Sequence, residues 1–121
     1  MRADLTRLLT ASDPPTALLA GNGRTTVEIL RALASLTNAA DAGAAGGLAL
    51  VGFDDFELAD LLGVTVVAQD PARLGRTAAD LLFMRLSGHE EPTSRIELAT
   101  RLVPRGSGER PPLPHQDRTA G

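Results

Sequence analysis

Gly47-Leu48-Ala49-Leu50-Val51-Gly52-Phe53-Asp54-Asp55-Phe56-Glu57-Leu58-Ala59-Asp60-Leu61-Leu62 is the stretch on which the reading of this chain turns. Its apolar run, Leu48 to Val51, is short and bounded by glycines, the pattern of a strand buried on both faces of a parallel sheet. Two carboxylates follow at once. After them an apolar periodicity predicts a helix over about 56–62, with Asp54 or Asp55 as its cap and Gly63 as its stop. The acids thus stand where a buried strand ends. In open α/β sheets the ligand crevice lies outside the carboxyl ends of the strands, so Asp54 and Asp55 are the first candidates for function.

Working back from this stretch, Asn38 to Gly47 is a low-complexity, alanine- and glycine-rich loop expected to be mobile. Before it, residues 24–38 predict a helix. At about 100° per residue, Val27, Ile29, Leu30, Leu33, Ala34 and Leu36 fill nearly half of its circumference, wider than the stripe of about 100° that a helix leaning on a sheet needs. Burial against a second body, such as another subunit, or simply a well-packed core would explain that width. Thr16 to Ala20 predicts the first strand, broken by Gly21-Asn22-Gly23. Leu5, Leu8 and Leu9 predict a short opening helix that ends before Asp13-Pro14-Pro15.

Working forward, Val64 to Ala68 is β-branched and reads as a third strand. Asp70-Pro71 is an N-cap followed by a first-turn proline, and the helix it starts runs to about Ser87. Leu74, Ala78, Leu81, Leu82 and Leu86 form its main apolar face, widened by Phe83 and Met84. Thr93 to Val103 alternates loosely and reads as a last strand. From Pro104 onward proline, glycine and charged residues dominate, so 104–121 is expected to be a disordered tail and 1–103 the folded domain. The expected fold class is α/β, a Rossmann-like layered parallel sheet.

Composition narrows the function classes. The chain has 121 residues, enough for one domain or part of one, and such a chain buries roughly two thirds of its unfolded surface. With three Phe and neither Trp nor Tyr, it carries little aromatic surface for stacking bases or sugars. No Cys is present, which removes disulfides and thiolate chemistry. The net charge of −3 and the lack of a basic cluster argue against a nucleic-acid surface. No apolar run approaches the roughly 20 residues that span a membrane, and the first residues lack a signal-peptide core. A cytoplasmic location is expected.

The order of the motifs resembles a known family. Thr16-Ala17-Leu18-Leu19-Ala20-Gly21-Asn22 is similar to the TAIFAAND segment of LacI/GalR-type transcriptional regulators. Leu50-Val51-Gly52-Phe53-Asp54-Asp55 is similar to their VVGFDD strand end. Val64 to Pro71, with Leu74-Gly75 and Ala78-Ala79-Asp80-Leu81-Leu82, resembles LTTVRQP…LG..AA..LL, and Thr93 to Arg105 resembles the closing LPPELVVRES strand. The match runs in one register over residues 14–106.

The resemblance implies part of a periplasmic-binding-protein-like (type I) effector core, with two α/β subdomains around a small-molecule cleft. It implies a homodimer, a sugar- or nucleoside-type effector, and contact with DNA only through a helix-turn-helix that these residues do not include. On this reading the chain corresponds to the C-terminal third of such a regulator. The strand and helix at 64–87 would belong to the opposite subdomain, leaving the helix without packing partners and its apolar face exposed. Weak or absent effector binding is expected of such a fragment alone.

Site residues follow the same logic. Asp54 matches the family's effector-binding acid, and a carboxylate at a strand end can accept two or more hydroxyl bonds; the alternative is a helix cap. Asn22 matches an effector-contacting Asn, with a turn asparagine as the alternative. Gly23 departs from the family's usual Asp. The residues imply no catalytic group, no metal and no cofactor. Gly21-Asn22-Gly23 is too short for a phosphate-binding loop and the chain has no Lys. Adjacent acids diverge, and His89 and His115 read as solvated. The leading reading is a non-enzymatic effector-sensing domain. A small α/β enzyme or nucleotide-binding module, and a dimerisation module built on 24–38 and 56–62, are the alternatives.

Overall fold

The computed structural model of the chain describes residues 2–37, 47–89, 92 and 95–111. Helix α1 (Arg2–Leu9) is followed by strand β1 (Ala17–Ala20), helix α2 (Gly23–Thr37), strands β2 (Ala49–Phe53) and β3 (Thr65–Ala68), helix α3 (Pro71–Leu86) and strand β4 (Arg101–Val103). The strands form one sheet in the order β1-β2-β3-β4. β1, β2 and β3 run parallel, with Leu19 opposite Val51 and Gly52 opposite Val66. β4 lies antiparallel to β3, Val66 opposite Val103. The expected α/β class and the parallel sheet are both present, and the last strand adds an antiparallel edge.

The core sits on one face of that sheet. Leu5 and Leu9 of α1, Ile29, Ala32 and Leu36 of α2, and Ala20, Leu48 and Leu50 pack as one buried cluster. A second cluster joins Ala59, Val64, Val66 and Ala68, with Leu30 and Phe56 partly buried against it. Each large aliphatic side chain removed from water contributes about 1.5–3 kcal/mol. α2 reaches the sheet closely because Gly52 faces fully buried Thr26. A side chain at position 52 would hold the helix away.

Three expectations need correction. The helix over 56–62 is a succession of turns over 57–63, closed by bonds from Ala59 N to the Phe56 carbonyl (2.9 Å) and from Gly63 N to the Asp60 carbonyl (3.1 Å). Residues 54–64 join β2 to β3, and within them Phe56, Ala59 and Val64 pack inward against β3 instead of lining one face of a helix. Gly63, at φ +64, does close the segment. The strand at 64–68 does not leave the sheet: it pairs with β2 and β4, so only helix α3 departs.

The third correction concerns the end of the folded domain, which continues past 103. The buried Ser107 donates through Oγ to the Leu50 carbonyl at 2.6 Å and accepts from Thr65 N at 2.9 Å. Its carbonyl takes Leu50 N at 2.8 Å, and its own N–H donates to the Gly63 carbonyl at 3.2 Å. Glu109 accepts from the Thr65 hydroxyl (2.8 Å) and from Gly106 N (2.9 Å). Residues 105–109 therefore complete hydrogen bonds that β2 and β3 would otherwise lack. The rest of the expected tail, 112–121 with His115, and the loop at 38–46 lie outside the described residues. Within 95–103 only Arg101–Val103 is strand.

α3 begins as its sequence announces, with Asp70 Oδ1 accepting from Arg73 N at 2.8 Å and Pro71 in the first turn. None of its residues is buried. Leu74, Leu82, Phe83, Met84 and Leu86 are 47–73% exposed, the exposed apolar face expected of this helix. Among the described residues no helix is long and apolar enough to cross a membrane.

Candidate functional site at the carboxyl edge of the sheet

The register of the parallel strands gathers the candidate residues at one edge. Ala20 lies opposite Gly52, so Asn22 and Asp54 each stand two positions beyond a matched pair. Val67 lies opposite Phe53, which brings Gln69 to the same edge. Asp54 N donates to the Val67 carbonyl at 3.0 Å, extending the ladder by one bond. The chain then turns sharply, with Asp54 at φ +74. That left-handed conformation costs an L-residue roughly 1–2 kcal/mol, although Asp tolerates it better than most. Such strain persists only where the surroundings fix it, and it gathers at ligand sites.

The turn sets the Asp54 carboxylate beside Gln69, whose Nε2 donates to Oδ1 at 2.5 Å. Asp54, Asp55, Gln69, Pro71 and Leu74 line a hollow of about 350 Å³, within the range of small-molecule sites. Carboxylate and amide offer it acceptors and donors, while proline and leucine offer apolar surface. That mixture suits a compact polyhydroxylated ligand.

Asp55 is engaged elsewhere. Arg105 grips it with two parallel bonds, Nη1 to Oδ1 at 2.7 Å and Nη2 to Oδ2 at 2.8 Å. The guanidinium, by hydrogen bonding first and by its charge second, holds the Asp55 carboxyl below its ordinary value, and the Arg105 pKa is raised in return. Arg105 Nη1 also reaches the Val64 carbonyl at 3.3 Å, and its backbone N donates to Thr65 Oγ1 at 2.9 Å. Neither acid caps a helix, because no helix follows. The two adjacent carboxylates have different partners and face different tasks.

Asn22 is exposed and caps α2: its Oδ1 accepts from Thr25 N at 2.8 Å. Its carbonyl accepts from Thr26 N (3.0 Å) and Thr26 Oγ1 (2.9 Å). The structure places it on the same sheet edge as Asp54 but not among the residues lining the hollow. Its side-chain oxygen is committed to the helix, leaving the amide nitrogen to offer a ligand. Sequence reasoning missed Gln69 and Arg105 as site residues. Gln69 was accessible to the strand-end rule that singled out Asp54. Arg105 closed the last motif of the resemblance, but nothing in that motif pointed to Asp55.

Residues 1–108 match the family model of the periplasmic binding protein-like domain. The chain belongs to that family. The curated relatives of this periplasmic binding protein-like domain include the HTH-type transcriptional regulator PtxS of Pseudomonas aeruginosa, 37% identical over 109 residues that cover 88% of this chain and 31% of that protein. Its structural neighbours include a LacI family regulator of Arthrobacter sp. FB24 solved with lactose, at 30% identity and TM-score 0.70, covering 89% of this chain and 40% of that one. A LacI regulator of a Rhodococcus species aligns at 27% identity and TM-score 0.72, covering 92% and 39%. The chain thus spans under a third of the length of the curated relatives it matches. It is part of a periplasmic binding protein-like domain of the kind found in LacI/GalR-type regulators, as its motifs suggested.

Proposed function

We propose that this domain senses a small polyhydroxylated effector of sugar or nucleoside type at the carboxyl edge of its sheet, with Asp54 as the principal acceptor. The observation that carries this is the Asp54 carboxylate, turned at φ +74 against Gln69 over the hollow of about 350 Å³. A carboxylate can accept from two vicinal hydroxyls, Gln69 can donate and accept, and Leu74 can cover ring C–H groups. Asn22 adds a donor from the neighbouring strand end. A relative at 30% identity solved with lactose supports the sugar class. Relatives described as transcriptional regulators favour sensing over catalysis.

In a protein that also carries a DNA-reading domain, ligand at this edge acts by binding one conformation more tightly than another, so occupancy shifts the balance between DNA-competent and incompetent forms. Such a protein works in the cytoplasm as a homodimer. The exposed Leu58, Leu61 and Leu62 supply apolar surface for that pairing, and sedimentation of the chain as a strict monomer at every concentration would count against it.

The chain spans under a third of its curated relatives, so weak or absent binding of an effector is expected of the 121 residues alone. NMR titration with lactose, ribose and adenosine tests the reading. The expected result is shift changes at Asp54, Gln69 and Leu74 with at least one probe, abolished by Asp54→Asn. Silence at these positions with all three probes, or changes that survive the substitution, would overturn it.

A further inference from the structure

Asp54 holds a left-handed backbone conformation that is costly for an L-residue, less so for Asp than for most, and the peptides on both sides of it are fixed. On the strand side the fixture is the ladder bond from Asp54 N to the Val67 carbonyl. On the far side it is a side chain, since Asp55 is gripped by both terminal nitrogens of Arg105. Arg105 in turn is tied to β3 through Thr65 Oγ1 and the Val64 carbonyl. Two residues on, Ser107 is buried and bonded to both β2 and β3. The Arg105 side chain is 18% exposed and that of Asp55 31%. Bidentate geometry with partial shielding from water puts this pair among the stronger ion pairs.

We propose that Arg105 is a positioning residue of the effector site: through Asp55 it holds Asp54 in the left-handed turn that presents its carboxylate to Gln69 and the hollow. This rests on the reading of Asp54 as the effector's acceptor. The clamp also divides the charge at the rim. Arg105 neutralises Asp55, so a ligand meets one uncompensated carboxylate there instead of two. Without the clamp, φ of Asp54 relaxes to negative values and its Cβ swings away from Gln69. A lysine at 105 could supply the charge but not the two-pronged grip that fixes the orientation of Asp55.

The test uses the isotope-labelled full chain with Arg105→Lys and Asp55→Asn. Two readouts need no ligand: the intraresidue amide–Hα NOE of Asp54, which is strong for left-handed φ, and the shift of the Gln69 side-chain amide. The third is the lactose titration, with ribose and adenosine in parallel. Both variants are expected to weaken the NOE, to move the Gln69 amide toward its solvent-exposed position, and to raise the dissociation constant about tenfold. A merely structural role would lower Tm and leave the NOE and the Gln69 shift in place, and that result in a folded variant overturns the proposal. Should Arg105→Lys fail to fold, Asp55→Asn at its more exposed position decides. If the NOE and amide respond while no probe perturbs the wild-type chain, Arg105 still positions Asp54 and it is the effector reading that is overturned.

Discussion

Thr26 Oγ1 and Gly52 meet so closely across the helix–sheet contact that a methyl built on Gly52 would stand 2.8 Å from that oxygen. The oxygen cannot swing aside freely, because it donates to the Asn22 carbonyl at 2.9 Å at the first turn of α2. Gly52→Ala is therefore expected to overpack this contact and cost about 1–3 kcal/mol, read as a lower urea midpoint at unchanged slope. Thr26→Ala in the same chain should recover part of the loss. Additive costs in the double mutant would show that the two sites do not collide.

Ser107 gives a second test, of where the domain ends. Its hydroxyl satisfies the Leu50 carbonyl and Thr65 N inside the protein. Ser107→Ala leaves both without that partner, at about 1–3 kcal/mol for a buried unsatisfied group. Ending the chain after Val103 should cost more than ending it after Pro111, because the first removes the whole 104–109 segment. Equal thermal midpoints for the two lengths would mean that this segment does not hold the sheet.

Acid sensitivity should trace to the Asp55–Arg105 pair. Asp55 titrates below its ordinary 3.8 in the folded chain, chiefly through the Arg105 hydrogen bonds. A carboxyl depressed on folding contributes its full stabilisation above the unfolded pKa and loses it as pH falls through the folded value. The pair is thus constant at neutral pH and fails only below about pH 4. Asp55→Asn is expected to flatten the fall of the urea midpoint across that acid range. An acid limb as steep as that of the wild type would assign the loss to other carboxyls.

The exposed face of α3 makes a prediction of the opposite kind. Phe83 is 64% and Leu82 56% exposed, so Phe83→Glu with Leu82→Gln should change stability by less than about 0.5 kcal/mol. Self-association at high concentration and binding of an apolar dye should fall together. A large drop in Tm from this pair would show that the face packs on something within the folded chain.

Much of this fold was legible in the sequence. Gly47 to Asp55 announced a buried strand ending in acids, and Asp70-Pro71 marked the start of α3 to the residue. What stayed illegible has physical causes. The 56–62 periodicity is helical, but tertiary packing of Phe56, Ala59 and Val64 between neighbouring strands overrides a preference too short to hold a helix alone. Residues 104–111 have the composition of a tail, yet Ser107 and Glu109 are each held by several polar bonds that no hydropathy pattern reveals. Within the site, Asp54 and Gln69 both obey the strand-end rule. Arg105 reaches Asp55 from fifty positions away, a distance in sequence that only the antiparallel return of β4 makes short.

That return also fixes the topology of α3. Ala68, the last residue of β3, is paired with Arg101, the first of β4, so the chain leaves the sheet before α3 and re-enters it at an adjacent point. The segment is an appendage on a hairpin stem, and α3 contributes no buried residue beneath it. A tight two-residue turn joins antiparallel strands of this kind. The sheet with α1 and α2 is therefore a graftable platform, on which one cap could be exchanged for another without redrawing the strands below.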